Sequence, residues 1–191
     1  ASASVKSLAL AMKALTAYQQ DLKKGLELTQ QYREFTQPHF GRKPPSTALG
    51  FNLLGSSRHD VYSLLDWTEL SARTLLAFQA QNSAEALKWA EKTFDYARQH
   101  FDDDYQDILT TSITLKASAL AINATTTYHQ GDYQQSLALT QQLYRFNHQY
   151  FGEHEFTLAS LALLATSAYA AHGDYRKVEH WLKQALSLSQ K

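Results

Sequence analysis

The chain has 191 residues with 18 basic and 18 acidic side chains, so its formal charge is zero and no excess field draws in nucleic acid or an anionic membrane surface. It has no cysteine, which excludes disulfide frameworks, thiolate zinc sites and cysteine nucleophiles. Three prolines and seven glycines, beside 44% hydrophobic residues, leave packed helices as the expectation. No window approaches the 18 or so uninterrupted apolar residues of a membrane span. The opening ASASVKSL has neither an initiator methionine nor a signal-peptide pattern. The expectation is therefore a soluble chain, a processed form or an excised piece, in the cytoplasm rather than the periplasm.

Residues 4–20 place Val5, Leu8, Met12 and Leu15, with Ala9 and Ala11, at helical spacing among strong helix formers. A short turn leads to a partner helix over 22–37, carrying Leu22, Leu26, Thr29 and Phe35, and Pro38 to Phe40 closes this first hairpin. Residues 41–60 hold Pro44 and Pro45 and three glycines, which predicts an inserted loop with a turn of helix at 47–54. A second hairpin follows, 61–81 and 83–101, with Asp60 and Ser83 in N-cap positions. The acidic start DDDYQD suits the N-terminus of a third A helix over 106–130; three threonines at 125–127 lower its propensity, but the neighbouring pattern outweighs them. A B helix over 132–151 ends at Gly152, and a fourth pair occupies 155–172 and 175–190.

Gly131-Asp132-Tyr133 returns 42 residues later as Gly173-Asp174-Tyr175. Weaker copies precede it. Leu137, Phe146 and Phe151 have counterparts 50 residues earlier at Leu87, Tyr96 and Phe101, and 61 earlier again at Leu26, Phe35 and Phe40. The small residue before each leucine also recurs, as Gly25, Ala86 and Ser136. A period of this length marks stacked supersecondary units, each of which buries its apolar face only against its neighbours.

The pattern Leu164, Ala165, Tyr169, Gly173, Asp174, Tyr175, Ala185, Leu186 resembles the tetratricopeptide repeat, and the link Phe151 to Leu158 (FGEHEFTL) is similar to the junction of the 42-residue variety found in kinesin light chains. The resemblance implies an all-α, right-handed α-solenoid of about four helical hairpins, at about 4–40, 61–101, 106–151 and 155–190, forming a single domain with an insertion at 41–60. It further implies a concave groove, lined by the A helices, that takes a protein or peptide. Mapped onto this register, the groove comprises Thr68, Ser71, Leu75 and Phe78 on the second A helix, Ser118, Ala121, Thr125, Tyr128 and His129 on the third, and Ser160, Leu163, Ser167 and Ala171 on the fourth. These are small, hydroxylic or apolar, which favours an apolar or helical ligand.

Chemistry has little purchase elsewhere. The eight histidines include no pair at i, i+4 and no H-E-x-x-H, so no metal site is expected. Asp102 to Asp104 with Asp107 lack the glycine and terminal glutamate of a calcium loop. No phosphate loop, nucleophile elbow or cofactor motif occurs, and Trp67, Trp89 and Trp181 read as core anchors. The expected function is a non-catalytic interaction scaffold or regulatory module without cofactor, nucleic acid or membrane partner. The alternatives are self-association as a homodimer through the C-terminal hairpin, where Trp181, Leu182 and Leu186 share one side, or a ligand-sensing domain of a larger bacterial regulator.

Overall fold

The computed structural model describes residues 3–40, 61–101, 105–173 and 175–189. The expected insertion 41–60, the cap at Asp60 and the acidic run 102–104 lie outside them. The described residues form eight helices and no strand: α1 (Ala3–Tyr18), α2 (Leu22–Phe40), α3 (Val61–Gln79), α4 (Ser83–His100), α5 (Gln106–His129), α6 (Tyr133–Phe151), α7 (Glu155–His172) and α8 (Tyr175–Ser189). The fold is an all-helical repeat of hairpins, as the sequence pattern predicts.

The turns explain the recurring Gly-Asp pair. Gly131 sits at φ +83 and Gly173 at φ +62, left-handed conformations that end an A helix without a Cβ penalty. The next residue caps the following helix: Asp132 Oδ1 accepts from the Gln135 amide, Asp21 Oδ1 from those of Lys23 and Lys24, and Asn82 Oδ1 from that of Glu85. The α4 cap is thus Asn82 and not Ser83, which is the first helical residue and donates its hydroxyl to Asn123 Oδ1. Gln81 stands where the third hairpin has its glycine and is held at φ +55.

The chain divides into two compact units, Ala1–Gln81 with Lys88–Ser112, and Asn82–Leu87 with Ile113–Lys191. In the first, α1 buries Ser7, Ala11, Ala14 and Tyr18, while Val5 and Met12, part of its apolar spacing, are 50% and 39% exposed. Small residues win the interior because they let helices approach closely. The tightest point is Gly25, where an added Cβ would lie 2.2 Å from the Tyr18 ring. Tyr18 in turn bonds Thr29 Oγ1 at 2.9 Å; because Thr29 spends its own proton on the Gly25 carbonyl, the phenol is the donor. Burial pushes the Tyr18 phenol up to about 12. Helix α2 runs to Phe40, three residues beyond the expected end, with Pro38 in its last turn. There the His39 ring bonds the Phe35 carbonyl at 2.8 Å and stacks on the Phe35 ring. His100 does the same with Tyr96 at the end of α4, 61 residues on, so the repeat register extends to these helix ends. The Trp67 indole donates to Ser112 Oγ at 2.8 Å.

In the second unit, Leu120, Leu161 and Leu164 are completely buried, and Leu137, Leu164 and Ala168 form a cluster against which Tyr144 and Trp181 pack. The contact between α6 and α7 is lined by hydroxyls. Ser136 donates to the Ala124 carbonyl and Thr140 to the Ser136 carbonyl. The remaining proton belongs to Ser167, whose Oγ lies 3.1 Å from Ser136 Oγ and 3.3 Å from Thr140 Oγ. Helix α5 continues through all three threonines to His129, with Thr125 and Thr127 returning their hydroxyl protons to carbonyls of the preceding turn.

Candidate functional site

The first helices of the hairpins differ in the faces they leave open. On α5, Ser118, Ile122, Thr125 and His129 form one exposed stripe at i, i+4, i+7 and i+11, with Ala121 and Tyr128 half-buried along its edge. Ile122 is 45% exposed, an apolar group of this size at the centre of an otherwise polar strip. The Tyr128 ring is braced edge-on by His129 and Tyr133. All five α5 groove positions read from sequence therefore lie on or beside one open face.

Helix α7 differs. Ser160 and Ser167 are 1% and 3% exposed, so two of its expected groove residues are core residues. The cause is the α6–α7 contact: Ser167 is drawn onto Ser136 and Thr140, and with it Leu164 and Ala168 turn inward. The open stripe of α7 is instead Phe156, Ala159, Ala162, Thr166 and Tyr169, with Leu163 and Ala171 half-buried. The face is shifted by one residue from the position that a 42-residue translation of α5 predicts, since Ser118 and Thr125 correspond in exposure to Ala159 and Thr166. Ser160, Leu164, Ser167 and Ala168 fall at i, i+4, i+7 and i+8, the spacing of a single helix face, and that face is the interior one.

On α3, Thr68 and Phe78 are half-buried and Leu75 is 39% exposed, but Ser71 is buried at 8%. Thr68 turns its hydroxyl back to the Leu64 carbonyl at 2.7 Å. These residues belong to the first unit and the α5 and α7 stripes to the second.

At the α6–α7 junction, Gly152 takes φ +62 and its amide bonds the His148 carbonyl, while the His154 carbonyl accepts from the amides of Thr157 and Leu158. The His154 ring makes no capping bond; it lies 5.1 Å from the Phe156 ring and 6.4 Å from that of Phe151. Among the described residues no group of three acidic, histidine or cysteine side chains is placed to hold a metal ion, and no helix is long and apolar enough to cross a membrane.

The arrangement of caps, hairpins and small-residue contacts over α5 to α8 coincides with a family-model match. Residues 115–191 match the model described as Tetratricopeptide repeat. Over that stretch, which is less than half of its length, the chain is similar to tetratricopeptide repeats. Neither a curated protein nor a solved structure matches the chain. Tetratricopeptide repeats generally mediate protein–protein interactions, and the family is one of non-catalytic interaction repeats.

Proposed function

We propose that the tetratricopeptide segment is a non-catalytic recognition module that binds a peptide or a partner helix along the open faces of its A helices. Ser118, Ala121, Ile122, Thr125, Tyr128 and His129 supply the α5 surface, and Ala159, Ala162, Thr166 and Tyr169 the α7 surface. The observation that carries this reading is the exposure of Ile122 and Tyr169, each 45%, on helices whose other faces are closed by packing. The lining is uncharged apart from any proton on His129, so it suits the apolar stripe of an amphipathic helix better than an acidic tail. Selection from a displayed random-peptide library on the wild-type chain, repeated on an Ile122→Arg/Thr125→Arg variant, tests it. Enriched amphipathic sequences should vanish on the variant; the same sequences enriched on both would remove α5 from the interface.

A second reading is supported by α8. Leu182 and Leu186 are 51% and 59% exposed and, with Val178, Glu179 and Lys183, line an open cavity of about 280 Å³. Two such leucines on one stripe suit self-association into a homodimer. Sedimentation over a range of concentrations separates the readings, since a monomer at every concentration would eliminate this one, while a dimer abolished by Leu182→Glu/Leu186→Glu would establish it.

A further inference from the structure

The first unit contains an open pocket of about 380 Å³ walled by Arg33 of α2, by Asp66, Glu69, Leu70 and Arg73 of α3, and by Trp89 and Tyr96 of α4. At its base Glu69 is 5% exposed. Its Oε1 accepts from Arg73 Nε at 3.0 Å and Nη2 at 2.8 Å, and more distantly from Arg33 Nη1 at 3.4 Å. Its Oε2 lies 2.6 Å from Arg33 Nη2 in an ion pair too poorly aligned to count as a hydrogen bond. Arg33 also pairs with Asp66 at 3.1 Å, and the Tyr96 hydroxyl donates to the other Asp66 oxygen at 3.4 Å. Burial opposes the Arg33 charge, but Glu69 and Asp66 outweigh it and hold the guanidinium above its ordinary range.

A tie between α2 and α3 accounts for Arg33 and Glu69. It does not account for Trp89. Three cations converge on that indole: Lys92 Nζ at 4.4 Å from the ring centroid, Arg73 at 4.9 Å and Lys88 at 5.7 Å. Arg73 is compensated by Glu69, whereas Lys92 makes no ion pair among the described residues. Like charges gathered around one ring repel each other, and an anion placed among them relieves that repulsion. Arg73 Nη1 and Arg33 Nε make no hydrogen bond among the described residues, so both retain donors.

We propose that this pocket binds a small organic anion, a planar ring bearing a single carboxylate, with the carboxylate on Arg73 and Arg33 and the ring against Trp89 and Leu70, while Lys92, outside the pocket lining, adds its charge from beside Trp89. Asp66, whose side chain is 43% exposed on the pocket wall, selects a single negative charge over a dianionic phosphate. The buried Glu69 acts as a positioning residue that fixes both guanidinium planes. The site is separate from the recognition faces of the second unit and stands without them.

The test uses benzoate as the probe, with benzylamine and inorganic phosphate for comparison, and follows the indole N–H signals of ¹⁵N-labelled protein, assigned with Trp89→Phe. Benzoate should move the Trp89 signal saturably while the Trp67 signal, anchored on Ser112, stays in place. Lys92→Gln should weaken benzoate about threefold, in keeping with one half-solvated charge pair, and Arg73→Gln should weaken it further; an unmoved Trp67 signal certifies each variant's fold. The proposal is overturned if benzoate produces no saturable Trp89 shift, if benzylamine or phosphate acts as strongly, or if Lys92→Gln binds benzoate as well as the wild type.

Discussion

Both units bury hydroxyls, but among the described residues a buried charged side chain is found in the first alone. In the first, a charged residue is taken inside: Glu69, on the middle of α3, is held by two half-exposed arginines. In the second, the equivalent task falls to hydroxyls, with Ser136, Thr140 and Ser167 passing single protons among themselves and the nearby carbonyls. Hydroxyls of this kind cost little to bury once each proton has an acceptor, and they leave helix faces free of charge. A buried carboxylate is costly, and it fixes long side chains in place; here its half-exposed arginine partners keep the pairing open to salt. The hydroxyl-lined unit leaves its open helix faces uncharged, while the charged unit keeps half-exposed arginines ordered at its surface.

Glu69→Ala should break the first unit hardest. Its loss strands Arg73, leaves Arg33 with Asp66 alone and should cost about 2–4 kcal/mol, below the fully buried range because both guanidiniums reach solvent; urea unfolding of variant and wild type measures it. The gap between them should narrow in high salt. Gly25→Ala comes next, at about 1–3 kcal/mol of overpacking, because the new methyl meets the buried Tyr18 ring and not a mobile side-chain end. Thermal unfolding should show the loss, and Gly25→Ala/Tyr18→Ala should recover part of the clash term. Ser167→Ala in the second unit should cost only about 1 kcal/mol, with no salt dependence, since Ser136 and Thr140 keep their carbonyl acceptors. A larger or salt-sensitive effect there would erase the contrast. Gln81→Gly should be the smallest change and opposite in sign, a gain of about 0.5–1 kcal/mol from relieving a left-handed non-glycine residue.

The hairpins were legible in the sequence because turn chemistry is local. Gly131-Asp132 and Gly173 announce their own backbone angles, and the columns beginning Gly25, Ala86 and Ser136 fix where B helices come close. The interior was less legible. Apolar spacing groups Val5 and Met12 with Ala11 on α1, but close helix approach buries Ser7, Ala11 and Ala14 and leaves the two larger side chains exposed. The same preference displaced the α7 face, where Ser160 and Ser167 look like surface residues by polarity and are core residues by contact. The Arg33–Glu69–Arg73 cluster was invisible because its members are 36 and 4 residues apart and only the pairing of α2 with α3 brings them together. The paired His39 and His100 helix ends were present in the 61-residue register but carry no apolar signal.

Because the chain contains no cysteine, a single one introduced anywhere reports its own position. Thiol-labelling rates of Thr166→Cys and Ser167→Cys, with Thr125→Cys and Ala124→Cys as the matched pair on α5, test most directly which faces the tetratricopeptide segment presents. Cysteines at 166 and 125 should react at the rate of an exposed thiol, and those at 167 and 124 at least about a hundredfold slower, through transient opening. Labelling at 167 as fast as at 166 would contradict the assignment of the α7 face and the recognition surface built on it.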